Sequence, residues 1–154
     1  MSRPAMPDAL AELLSADWGE IDFQPRTEFM SPDEASECLV AWQHREDFDS
    51  SPFLVFGADG SGGLAAIWRV DPAGALLDQP IVQLDVEHED YVVAVDFSEF
   101  LWLVAAGIGP FEANDDYAHP PSPAIQALAQ KHAPNVTRRG FEIVEHAQAV
   151  HQLP

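Results

Sequence analysis

The run Phe53-Leu54-Val55-Phe56-Gly57-Ala58-Asp59-Gly60-Ser61-Gly62-Gly63-Leu64-Ala65-Ala66-Ile67-Trp68 decides the fold. Two apolar segments flank a short turn rich in residues that tolerate positive φ. A phosphate-binding glycine loop would open a helix and carry a Lys beside a Ser or Thr. Here a strand follows and no Lys is present, so the stretch reads as a tight hairpin. Its structural turn is assigned to Gly57, Asp59, Gly60, Gly62 and Gly63. Residues 53–56 form the first strand. Residues 64–70 form the second, with Leu64, Ala66, Trp68 and Val70 on one face.

Downstream, a Pro72-Ala73-Gly74 turn precedes a third strand over 81–86. Alternation places Val82, Leu84 and Val86 inward and Gln83 and Asp85 outward. An acidic turn, Glu87-His88-Glu89-Asp90, leads to a fourth strand over 91–95. Connections this short favour an antiparallel meander over parallel crossovers. Asp96 then caps a helix whose Phe97, Phe100, Leu101 and Val104 fall at i, i+3, i+4 and i+7, and Gly107 is its stop. Residues 109–121 hold three prolines and three acids and read as a surface connector. Ser122-Pro123 opens a further helix with Ile125, Leu128 and Ala129 inward, and residues 141–152 form a last amphipathic helix.

Upstream, Ser31 is an N-cap, Pro32 suits the first turn and Glu34 completes a capping box. Ala35, Cys38, Leu39 and Trp42 follow at helical spacing, so Cys38 and Trp42 are expected in the core. Residues 7–14 form a short helix with Leu10, Leu13 and Leu14 on one side, and residues 15–30 are irregular. The expected fold class is α+β: an antiparallel β meander of about four to six strands flanked by helices, in one domain over residues 1–154.

The net charge is −19, from 26 acidic and 7 basic side chains. No Lys or Arg lies between Arg69 and Lys131, where eleven acids occur. Such a surface repels nucleic acid and anionic membranes. It attracts a basic protein, and it also serves solubility. The single cysteine forms no internal disulfide, and the apolar runs are too short to span a bilayer. A cytoplasmic location is the expectation.

No residue pattern calls for catalysis, a cofactor or a bound metal. Ser61 lacks the Gly-x-Ser-x-Gly run into a helix that a nucleophile elbow needs. Glu142 and His146 lack the second His of a zinc-protease helix. Asp85, Glu87, His88, Glu89 and Asp90 are dense in ligand atoms, but a metal site needs convergent, held ligands. A solvated acidic turn fits the run.

The hairpin stretch, with Ala66-Ile67-Trp68, resembles the glycine-rich hairpin of the SUKH superfamily. Gln79-Pro80-Ile81-Val82-Gln83-Leu84 is similar to that family's Pro- and Val-containing strand. Phe97-Ser98-Glu99-Phe100-Leu101-Trp102-Leu103 looks like its helix with Phe-Leu after an acid. The likeness spans residues 31–112, leaving 113–154 as a connector and C-terminal helix pair. It implies a meander flanked by helices. It also implies an immunity protein that binds and neutralises a bacterial toxin, in many cases a nuclease with a basic face. The family supplies no catalytic residues. Candidate contacts to a basic partner are Asp85, Glu87, Glu89 and Asp90 on the hairpin, with Glu112, Asp115, Asp116 and Tyr117 on the connector. The alternatives are a small metal-dependent hydrolase using the Asp85–Asp90 cluster, or a regulatory adaptor.

Overall fold

The computed structural model describes residues 4–86 and 89–153. Five strands, β1 (Gln24–Pro25), β2 (Phe53–Ala58), β3 (Leu64–Trp68), β4 (Ile81–Leu84) and β5 (Tyr91–Ala94), form one sheet in sequence order. Every neighbouring pair is antiparallel. Five helices surround it: α1 (Asp8–Leu14), α2 (Pro32–Gln43), α3 (Phe97–Ala105), α4 (Pro123–His132) and α5 (Phe141–Val150). The protein is therefore α+β with an antiparallel meander, as its short turns require. β1 was hidden in a stretch read as irregular, because two residues carry no periodicity.

The three caps expected from sequence form as local chemistry dictates. The side chains of Ser31, Asp96 and Ser122 accept hydrogen bonds from the amides of Glu34, Glu99 and Ile125. The reciprocal half of the capping box is absent at Glu34, whose carboxylate instead accepts from Arg26 Nη2 at 3.0 Å.

The sheet is buried on both faces. Leu54, Phe56, Ala65, Ile67, Ile81, Tyr91 and Val93 pack with α1, α3 and α4, whereas Val55, Leu64, Ala66, Val82, Leu84 and Val92 pack with Ala35 and Leu39 of α2. Each residue of α3 except Ser98 is buried. α5 contributes Ile143 and Val144 to one cluster and Ala147 to the other. It thus lies across the edge strand β5, and Gln148 Nε2 donates to Val92 O at 3.4 Å. Covering that edge removes a template for strand pairing with another chain.

Two-sided burial corrects several expectations. Gln83 and Asp85, read as outward, are buried. Gln83 is satisfied by donating to Asp59 Oδ2 at 2.6 Å. The first half of the connector is also inside: Gly109, Pro110, Glu112 and Ala113 are buried, whereas residues 114–118, Pro120 and Pro121 are exposed. Gly57 belongs to β2 and not to the turn. A Cβ there would enter the Phe23 ring, which itself stacks on Trp18 at 4.3 Å and has nowhere to move. Gly107 ends the α3 region at φ 87°, and a side chain there would strike the backbone carbonyl of His119.

Trp42 is the largest departure. Helical spacing put it with the core, yet it is 46% exposed. Cys38 is half-buried, and desolvation pushes its thiol above the ordinary value, as suits a packed, inert side chain. Among the described residues no helix is long and apolar enough to cross a membrane.

Candidate functional site

The β4–β5 turn and the connector meet at Tyr91. Its position is set by β4 pairing, Gln83 opposite Tyr91, which aims the phenol toward the sheet face that carries α3. The hydroxyl donates to Pro110 O at 2.6 Å and so pins the start of the connector. Burial raises its pKa well above the ordinary tyrosine value. The carboxylates of Asp85, Asp59, Asp115 and Glu112 raise it further. Tyr91 therefore donates as the neutral phenol well above the pH at which an ordinary tyrosine ionises.

A pH prediction follows from that shift. The unfolded chain releases the Tyr91 proton near pH 10, while the folded chain retains it. The contribution is fully present below pH 10 and is lost as pH rises beyond it, by about 1.4 kcal/mol per pH unit. Tyrosinate absorbance from Tyr91 should appear only together with loss of far-UV circular dichroism. Comparison with Tyr91→Phe isolates its share. Ionisation of Tyr91 in a folded protein would contradict the placement.

On the hairpin side, Asp90 is committed. Arg45 donates from Nη1 to Oδ1 at 2.8 Å and from Nη2 to Oδ2 at 2.6 Å, and Asp90 Oδ1 also accepts from the Asp85 amide at 2.9 Å. A bidentate guanidinium–carboxylate pair fixes orientation as well as charge. Arg45 reaches that point because His44 takes the left-handed conformation at the end of α2, φ 57°, and reverses the chain. Its guanidinium rests 3.9 Å above the Phe48 ring. Gln43 Nε2 donates to both Gly62 O and Leu84 O, so the end of α2 is tied to both hairpins.

On the connector side, Glu112 is 3% exposed. Its Oε2 accepts from the Asp22 amide and is hydrogen-bonded to His119 Nε2, each at 2.9 Å. The carboxylate clasps three chain segments together. Beyond it, Asp115, Asp116 and Tyr117 stand in solvent, with Tyr117 edge-on to His119 at 4.8 Å.

The eight contacts expected from sequence thus divide. Glu89, Asp115, Asp116 and Tyr117 are exposed. Glu89 and Asn114, the residue before Asp115, line one open groove of about 860 Å³ beside Tyr91 and Gln148. Asp85 and Glu112 are turned inward, and Asp90 is spent on Arg45, so these three hold the face and do not present it. Glu87, like its neighbour His88, lies outside the described residues.

Asp59, Gly60, Gly62 and Gly63 lie in the connection between β2 and β3. Asp59 Oδ1 accepts from the Ser61 and Gly63 amides and the Ser61 hydroxyl. Arg45 was not anticipated, because its partner is 45 residues away. Among the described residues no group of three or more His, Cys, Asp or Glu side chains is arranged to hold a metal ion. Comparison with family models, with curated proteins and with solved structures gives no match.

Proposed function

We propose that this chain is an acidic protein-binding domain that docks a basic protein through the face bearing Glu89, Asp115, Asp116 and Tyr117. The observation that carries the reading is convergence. Glu89 and the connector residue Asn114, which directly precedes the exposed Asp115 and Asp116, line one groove, and the Arg45–Asp90 and Tyr91–Pro110 hydrogen bonds hold the two segments. Preformed complementary charge raises encounter rates and costs little ordering on binding. The groove is open and polar, which suits a protein surface more than a small molecule held on most sides. Tyr117, 56% exposed, supplies the kind of aromatic contact that anchors interfaces.

The finer reading is an immunity protein of the SUKH type whose partner is a bacterial toxin, in the first instance a nuclease. The sequence likeness over residues 31–112 and the acidic surface support it. A metal-dependent hydrolase has less support, since Asp90 is held by Arg45 and Asp85 is buried.

Co-expression with the basic C-terminal domain of an adjoining reading frame tests the reading. A co-eluting complex and relief of growth arrest are expected. Growth arrest that persists while both proteins are soluble and separate would overturn it.

A further inference from the structure

We infer that Trp42 is an arginine-docking platform, a second contact beside the acidic face. The inference rests on the docking reading above and names the partner chemistry it would take.

Three tryptophans have ring or hydrogen-bond partners within the fold. Trp18 stacks on Phe23 and its indole Nε1 donates to Leu13 O at 2.9 Å. Trp68 stacks on Phe53 and meets His151 edge-on. Trp102 donates to Ala133 O at 2.7 Å, and the chain's own Arg139 lies 3.8 Å above its ring. Trp42 differs. Among the described residues its indole has no hydrogen bond, no aromatic partner and no cation over it, and nearly half its surface is in water. Neighbouring Val40 is also an exposed apolar residue of α2. A Trp so placed leaves about half of its apolar surface uncovered in a monomer, and Trp is among the residue types most enriched at binding hot spots.

The setting suits a guanidinium. Trp42 lines a groove of about 360 Å³ together with Gln24, Asp59, Gly60, Ser61 and Gly62. Gly62, at φ 95°, seats closely against the base of that side chain: a Cβ there would lie 3.1 Å from Trp42 Cβ. The chain's own nearby cations are committed elsewhere, Arg45 to Asp90 and Arg26 to Glu34. A protein with 26 acids and 7 basic residues draws a cationic partner toward this ring. Among cations, a planar guanidinium stacks on indole better than an ammonium does. Location fits too. Gln43, the next residue, is bonded to both Gly62 and Leu84, and the Gly62 position also borders Val86. Gln43 and Val86 line one groove with Glu89, so Trp42 is the sequence neighbour of a residue that shares a surface with Glu89, and one partner can reach both.

The test is a titration of 15N-tryptophan- and amide-labelled protein with deca-arginine, with deca-lysine and deca-glutamate as comparators. Trp42→Phe assigns the indole signal. The expected result is a saturable shift of the Trp42 indole with deca-arginine, weaker with deca-lysine and absent with deca-glutamate. Trp42→Ala should weaken deca-arginine binding about fivefold with an unchanged melting temperature. Shifts at the amides of Glu89, Asp115 and Asp116 with a silent Trp42 indole would overturn this inference and leave the acidic face standing. Shifts at Trp42 alone would uphold the platform and remove the acidic face. No shift at either would overturn both.

Discussion

Phe100→Ala is expected to lower stability by about 3–5 kcal/mol, the range for truncating a fully buried phenylalanine. For a chain of this size that corresponds to a fall in melting temperature of roughly 6–20 °C. Phe100 is completely buried on α3, meets Phe56 of β2 edge-on at 5.7 Å and lies 6.3 Å from Trp18. Trp18 in turn stacks on Phe23, which covers Gly57. One ring therefore joins the helix, the sheet and the segment after α1. Its removal leaves a cavity bounded by groups that cannot close in, since each is held by a second contact. Phe100→Leu, which keeps most of the volume, should lose clearly less. Urea unfolding of both variants measures this, and a loss below about 1 kcal/mol for Phe100→Ala would contradict the packing described.

Much of this fold was legible because its signals are local. A capping serine or aspartate needs only the amide three residues on, so Ser31, Asp96 and Ser122 announced their helices. The apolar stripe of α3 and the short turns of the meander are equally local. What failed depended on distant partners. Gln83 and Asp85 alternate with apolar neighbours and so read as solvent-facing, but the far side of the sheet is covered as well, and Gln83 finds its acceptor on Asp59, 24 residues earlier. Glu112 sits among prolines and acids. Its burial is decided by the amide of Asp22, 90 residues away.

Trp42 failed for another reason. Its azimuth on α2 matches Ala35 and Leu39, but at the last turn of the helix the surface beneath it is the glycine turn at Gly62, which has no side chain to cover the ring. As for the candidate site, the residue types and both segments were legible. Which acids face outward was not.

The second large effect concerns association. Glu89→Gln, Asp115→Asn and Asp116→Asn together remove three exposed charges from the proposed docking face and none from the core. Steering depends on the local potential, so association with a cationic probe should slow about tenfold at low salt while dissociation changes less. The difference should shrink as the Debye length contracts to about 3 Å near 1 M salt. Stability should be little altered, because none of the three joins the Arg45–Asp90 pair or the Glu112 clasp.

Net charge alone would act through any three acids, and an organised face would not. The decisive measurement is stopped-flow association of labelled deca-arginine at low salt with two variants of equal net charge. One carries Glu89→Gln, Asp115→Asn and Asp116→Asn. The other carries Asp8→Asn, Asp33→Asn and Glu37→Gln, exposed acids of α1 and α2. The first is expected to slow association about tenfold and the second less than about threefold. Equal slowing by both would mean that the acids act only as diffuse charge and that no docking face exists.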